Sequence, residues 1–268
     1  MRRASVALVT LLVAAAVGAC SGSKAPPAPT PSVGDTSRSA TTQAAPTPTT
    51  TQARPAVAIP RGAEPVHLDP ATFTSEIDNP WWPMKPGNRW TFREGSSVDN
   101  VTVTNRTKTI MGIQARVVRD VLTENGQVQE DTFDWYAQDA DGNVWYMGED
   151  TREFKDGKVS STEGSWQAGV KNAQPGILIP ARPRPGLAYR QEYLKGQAED
   201  RAKVLSLNAT GKVPHGAFDH ALLTEDTTPL EPDVVEHKYY VKGLGPVLAV
   251  TTSGGSGREE LLSFTPGG

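Results

Sequence analysis

The stretch Gln127-Val128-Gln129-Glu130-Asp131-Thr132-Phe133-Asp134-Trp135-Tyr136-Ala137-Gln138 runs through Asp139-Ala140-Asp141-Gly142-Asn143 into Val144-Trp145-Tyr146-Met147. Its aromatic and β-branched residues suit a pleated, half-buried backbone. A period of two places Asp131, Phe133, Trp135 and Ala137 on one side and Thr132, Asp134 and Tyr136 on the other. The Asp-Gly-Asn centre supplies turn chemistry, so the segment reads as two antiparallel strands and their connection.

Working outward, the same pattern recurs. Upstream, Asn88 to Glu94, Asn100 to Thr109 and Gln114 to Leu122 read as strands, with a turn at Glu124-Asn125-Gly126. Downstream, Lys155-Asp156-Gly157-Lys158 turns the chain again. Further strands are expected over Leu187 to Leu194, Ala198 to Asn208, Gly216 to Glu225, Val234 to Lys242, Gly245 to Thr252 and Glu259 to Phe264. No window after Ser75 keeps a helical period. The expected fold class is all-β and mainly antiparallel: a strongly curved sheet or open β-barrel with one or two short helices. Asp69 followed by Pro70 has the form of an N-cap and first helical residue, which predicts a short helix over Pro70 to Ser75. After it, Asn79-Pro80-Trp81-Trp82-Pro83 and Lys85-Pro86-Gly87 impose turns and extended geometry.

The amino-terminal quarter differs in kind. Arg2 and Arg3 precede the apolar run Val6 to Val17, and Gly18 and Ala19 lead into Cys20. Positive charge, a short apolar stretch and small residues make residues 1–19 a signal peptide, too short to span a bilayer. Cys20 is the one cysteine of the chain, so no internal disulfide is available. From Cys20 to residue 63 the composition turns to Ala, Pro, Thr and Ser, which predicts a disordered, semi-stiff linker. Residues 64–268 are expected to form a β-rich globular domain. Removing the signal peptide leaves 25 basic against 30 acidic side chains, a formal charge of −5. That balance offers no electrostatic footprint for nucleic acid, and no such partner is expected.

Two resemblances follow from these residues. Val17-Gly18-Ala19-Cys20 resembles the lipobox of bacterial lipoproteins, which implies lipidation of Cys20, and with it a membrane partner and an address on the extracytoplasmic face of the cell membrane. Three phrases resemble a large actinobacterial-type group of exported, lipid-anchored β-proteins: Ile77-Asp78-Asn79-Pro80-Trp81-Trp82-Pro83-Met84-Lys85-Pro86-Gly87-Asn88-Arg89-Trp90, Val213-Pro214-His215-Gly216-Ala217-Phe218, and Tyr239-Tyr240-Val241-Lys242-Gly243-Leu244-Gly245-Pro246-Val247. More loosely, the chain resembles the curved-sheet carriers of the LolA and LppX type. The resemblance implies architecture and carries over no catalytic residue.

Each candidate site also has a plainer structural reading. Asp139, Asp141, Asn143 and Asp150 have part of the spacing of a calcium loop, but Val144 stands where that loop needs glycine, and a hairpin turn explains the same residues. Glu130, Asp131, Asp134, Glu149 and Asp150, with Trp135, Trp145 and Tyr146 nearby, would serve acid–base glycoside hydrolysis if they converged. The alternative is a solvated strand edge with tryptophans in the core. His67, His215, His220 and His237 are scattered, and no Gly-x-Ser-x-Gly elbow, P-loop or dinucleotide fingerprint occurs. Neither metal nor cofactor is expected, nor a catalytic residue. Trp81, Trp82 and Trp90 either meet an apolar ligand or plug the end of a barrel. The leading expectation is a non-enzymatic binding module for an apolar or amphipathic ligand. The other readings are an envelope interaction protein with a filled core and a secreted hydrolase using acidic side chains.

Overall fold

A computed structural model describes residues 58–268. Cys20, the expected signal peptide and most of the expected linker lie outside the described residues. A 3-10 helix over Pro70–Thr72 comes first, and every other regular element is a strand. In chain order these are β1 (Phe73–Thr74), β2 (Arg89–Glu94), β3 (Ser97–Ile110), β4 (Ile113–Glu124), β5 (Gln127–Asp139), β6 (Val144–Lys155), β7 (Lys158–Ser161) and β8 (Trp166–Gln167). They continue as β9 (Gln174–Ile179), β10 (Ala188–Arg190), β11 (Glu192–Tyr193), β12 (Arg201–Val213), β13 (Gly216–Thr227), β14 (Val235–Val241), β15 (Gly245–Ser253) and β16 (Arg258–Thr265).

The sheet runs β10-β12-β13-β14-β15-β16-β2-β3-β4-β5-β6-β9-β11, with every neighbouring pair antiparallel. Its two ends are consecutive in the chain. Ala188–Arg190 pairs with β12, and after Gln191 the same segment pairs with β9 through Glu192 and Tyr193. The sheet is therefore nearly closed into a barrel, which removes most of its exposed edge. At the closing point the backbones come so near that a Cβ on Gly176 would lie 2.4 Å from the carbonyl carbon of Gln191. Only glycine fits there.

Local chemistry accounts for the hairpins. Asn125 and Gly126 have φ of 50° and 77°, the two positive values that a two-residue type I′ turn requires, so β4 and β5 pair directly through Glu124 and Gln127. The inner face follows the period of two: Val101 and Val103 of β3, Trp90 and Phe92 of β2, and Tyr136 of β5 all lie in one buried cluster.

Three expectations need correction. The helix of six residues is a single 3-10 turn, capped by Asp69, whose Oδ1 accepts from the Ala71 N–H at 3.0 Å. Phe73 and Thr74 are instead drawn into pairing with Asp139 and Gln138, because the end of β5 offers an open ladder. The β6 strand extends to Lys155, well past Met147, and β9 is an additional strand whose Gln174-Pro175-Gly176 start reads as a turn in sequence. Finally, the folded part begins before residue 64. The Pro60 carbonyl accepts from the Arg190 N–H at 2.8 Å, and the Arg190 guanidinium donates to the carbonyls of Gly62 and Glu64. A buried guanidinium needs such acceptors, and this segment provides them.

Candidate functional site in the barrel interior

Two kinds of side chain fill the barrel. One half is aromatic. Trp81, Trp82 and Trp90 are only 4%, 2% and 0% exposed. Trp82 enters from the proline-bounded loop and sits 6.5 Å from Trp90, 6.0 Å from Tyr136 and 6.1 Å from Tyr240, measured between ring centroids. Tyr136 stacks on Tyr146 at 5.0 Å, and Trp166 meets Tyr146 edge-on at 5.3 Å. Trp81 lies under the Lys242 ammonium at 4.8 Å.

The loop that carries Trp82 is stitched down on two sides. The Gln138 side-chain oxygen accepts from the N–H groups of Asp78 and Asn79, and Asn79 Nδ2 donates to the Gly142 carbonyl. From the other side, the Gly243 N–H donates to the Pro80 carbonyl at 2.7 Å, and Trp90 Nε1 donates to the Leu244 carbonyl at 2.7 Å. The tryptophans thus form an anchored plug that joins the β5–β6 turn to the β14–β15 turn.

The other half of the interior is acidic. Period-two alternation places Asp99, Asp120, Glu130, Asp134, Glu149, Glu236 and Glu259 on the inner faces of six strands, each at most 5% exposed. The expectation of a solvated strand edge is overturned, since Glu130, Asp134 and Glu149 face inward together with Thr132 and Tyr136. The long strands carry these positions past the rim into the barrel, where no bulk water solvates them.

Burial disfavours the charged form, and neighbouring carboxyls add to that. Desolvation, then the charges of Glu259 and Glu130, lifts Asp99 to about 7. Desolvation and then Asp99 push Asp120 well above the carboxylate range. Desolvation followed by Asp120 does the same to Asp134, desolvation followed by Asp134 to Glu149, and desolvation followed by Asp200 to Glu192. Asp134 Oδ1 accepts from the Tyr146 hydroxyl at 2.8 Å. Asp99 and Asp120 share a side-chain hydrogen bond that lowers the pKa of Asp99 and raises that of Asp120, which makes Asp120 the proton donor of the pair.

One cation interrupts the belt. Lys238 Nζ lies 3.3 Å from Asp226 Oδ2 and 3.7 Å from Glu236 Oε2, and these charges, with others, outweigh its desolvation and raise its pKa. Asp226 also accepts from Thr224 Oγ1 at 2.6 Å and from Gln191 Nε2 at 3.2 Å, a network that ties β13 and β14 to the closing segment.

The remaining sequence candidates fall elsewhere. Asp139 caps its own turn: Oδ1 accepts from the N–H groups of Asp141 and Asn143, and Oδ2 accepts from Asn143 Nδ2 and Trp145 Nε1. Its lone pairs are thereby used in the hairpin. Asp131 points outward and takes a bidentate contact from Arg119 at 2.7 and 2.8 Å, and Asp150 pairs with Arg152 at 3.2 Å. The carboxylates expected to converge are therefore split between the inside and the outside of one sheet. Among the described residues, no three His, Cys, Asp or Glu are grouped so as to hold a metal ion.

No protein-family model matches the chain, and no curated protein matches it. Two solved structures are similar. One is a candidate exported protein with a YmcC-like fold from Bacteroides fragilis, at 13% identity and a TM-score of 0.41, covering 69% of this chain and 99% of that one. The other is a candidate lipoprotein from Parabacteroides distasonis, at 10% identity and a TM-score of 0.38, covering 69% of this chain and 98% of that one.

Proposed function

We propose that this chain is a lipid-anchored extracytoplasmic protein of the cell envelope, and that its barrel is a non-enzymatic interaction domain with a filled core. The carrying observation is the position of Trp82, wedged among Trp90, Tyr136 and Tyr240 on a loop whose Asn79 and Pro80 are hydrogen-bonded to the β5–β6 and β14–β15 turns. An apolar ligand, the other binding reading, would have to displace that plug. A hydrolytic role for Asp134 would need a glycan to reach a carboxyl only 1% exposed. The address rests on the Cys20 lipobox. Two or three acyl chains there, at about 0.8 kcal/mol per buried CH₂, would hold the protein on a bilayer without a spanning segment.

The test is fractionation of native cells with mass spectrometry of the purified protein. A mature chain starting at a diacylated Cys20, found in the membrane fraction and released to the soluble fraction by Cys20→Ala, is the expected result. An intact Met1 end would refute the anchor. A second lipid species, co-purifying at one per protein and lost on Trp82→Ala, would refute the filled core.

A further inference from the structure

The outer face of β2, β3 and β4 carries a feature that the filled-core reading does not use. A shallow open groove of about 380 Å³ runs over this face, lined by Arg89, Asn100, Thr102, Thr104, Arg119 and Val121. Its composition follows from the strand period: Asp99, Val101 and Val103 turn inward, so Asn100, Thr102 and Thr104 must turn outward. Register fixes the rest. Arg89 opposes Thr102 across β2 and β3, and Thr102 opposes Arg119 across β3 and β4. Two guanidinium groups thus flank one hydroxyl, on strands about 10 Å apart.

The donors in the groove are unevenly committed. Arg119 is held by Asp131 and packs over Phe133 at 5.6 Å, while Arg106 reaches the same ring at 5.4 Å. Among the described residues Arg89 makes no ion pair and the Thr102 hydroxyl has no side-chain partner, and both line the groove. Asn100 Oδ1 accepts from Thr91 Oγ1 at 3.0 Å, which leaves its amide N–H groups facing the groove. Val121 gives the floor an apolar patch beside them.

Backbone N–H groups, the usual cradle of a phosphate, are consumed here by the β-ladder. What remains is planar guanidinium, suited to a carboxylate, with hydroxyl and amide groups suited to sugar hydroxyls and an apolar floor suited to a sugar ring. The groove is partly open to solvent and does not enclose its ligand, which suits a polymer lying along the sheet face.

We infer that this outer groove binds an acidic polysaccharide, a uronate-type polymer whose carboxylates meet Arg89 and whose hydroxyls meet Asn100 and Thr102. The interaction rests on charge complementarity at the surface. It is independent of the barrel interior and of the anchor at Cys20, so its failure would leave the filled-core reading standing.

The experiment is calorimetric titration of the full chain in detergent micelles at 150 mM salt with polygalacturonate, neutral dextran, inorganic phosphate, polyglutamate and single-stranded RNA. Saturable binding to polygalacturonate is expected, weakened at least tenfold by Arg89→Gln and severalfold by Thr102→Val. Arg182→Gln, an exposed charge outside the groove, should leave binding unchanged. Both groove substitutions are on the surface, so their unfolding midpoints should match the parent and separate lost binding from lost fold. Three results would overturn the inference: no binding, equal binding of polyglutamate or RNA, or phosphate binding as tightly as the polymer.

Discussion

Raising the pH from 5 to 8 should progressively destabilise the folded domain, contrary to the behaviour of a protein held by exposed ion pairs. In the unfolded chain the carboxyl of Asp99 ionises near 3.8; in the barrel it holds its proton to about 7. The folded state therefore binds one proton more than the unfolded state between those values, and stability falls as pH rises through the window. Roughly three pH units at 1.36 kcal/mol each give about 4 kcal/mol for Asp99 alone. Asp200, lifted from 3.8 to about 7 mainly by desolvation, adds a contribution of the same sign over the same window. Stability from both is complete below about pH 4 and is lost by about pH 7, while Asp120, Asp134 and Glu149, raised further, extend the loss to higher pH. Against a total of about 5–15 kcal/mol for an ordinary domain, this is a large share. Urea unfolding followed by tryptophan fluorescence at pH 5, 6, 7 and 8 measures it directly. Asp99→Asn, which keeps the shape and removes the titration, should flatten the slope by about 1.4 kcal/mol per pH unit between 4 and 7. A stability that is level or rising from pH 5 to 8, or a slope untouched by Asp99→Asn, would refute the reasoning.

Other substitutions probe the remaining parts. Trp82→Ala should cost about 3–5 kcal/mol by opening a cavity among Trp90, Tyr136 and Tyr240, read as a lower urea midpoint. Lys238→Met leaves Asp226 and Glu236 facing each other without a cation and should cost about 3–5 kcal/mol at neutral pH, with part of the loss recovered at pH 5. Gly176→Ala places a methyl group 2.4 Å from the Gln191 backbone and should open the barrel at its closing segment, seen as faster amide exchange in Ala188–Arg190 than in β3 or β4.

Strand existence was legible because the signals are local. The alternation in Gln127 to Gln138 and the Asn125-Gly126 turn need no tertiary context, and both stand in the structure as read. The closing of the barrel was not legible, because it depends on Gly176 meeting Gln191 from a distant part of the chain. Strand β9 was hidden for the same reason: Pro175 and Gly176 are turn residues by composition and strand residues only at that crossing. The acidic interior was half visible. Glu130, Thr132, Asp134 and Tyr136 share a face by period two, and Glu236, Lys238 and Tyr240 do the same. Placing carboxyls beside tyrosines on one face was the available signal. The prior that acidic side chains are solvated outweighed it.

That interior also changes what the formal charge means. A count of −3 treats every carboxyl as ionised and exposed. Asp120, Asp134, Glu149, Glu192 and Glu259 hold their protons well above the ordinary range, each of them pushed first by burial. Of the 30 acidic side chains, ten are buried among the described residues. Inside and outside are coupled only through the strand period: each residue that carries an acid into the barrel sends its neighbour to the face where a partner would bind, as Asp99 does for Asn100 and Asp120 for Arg119.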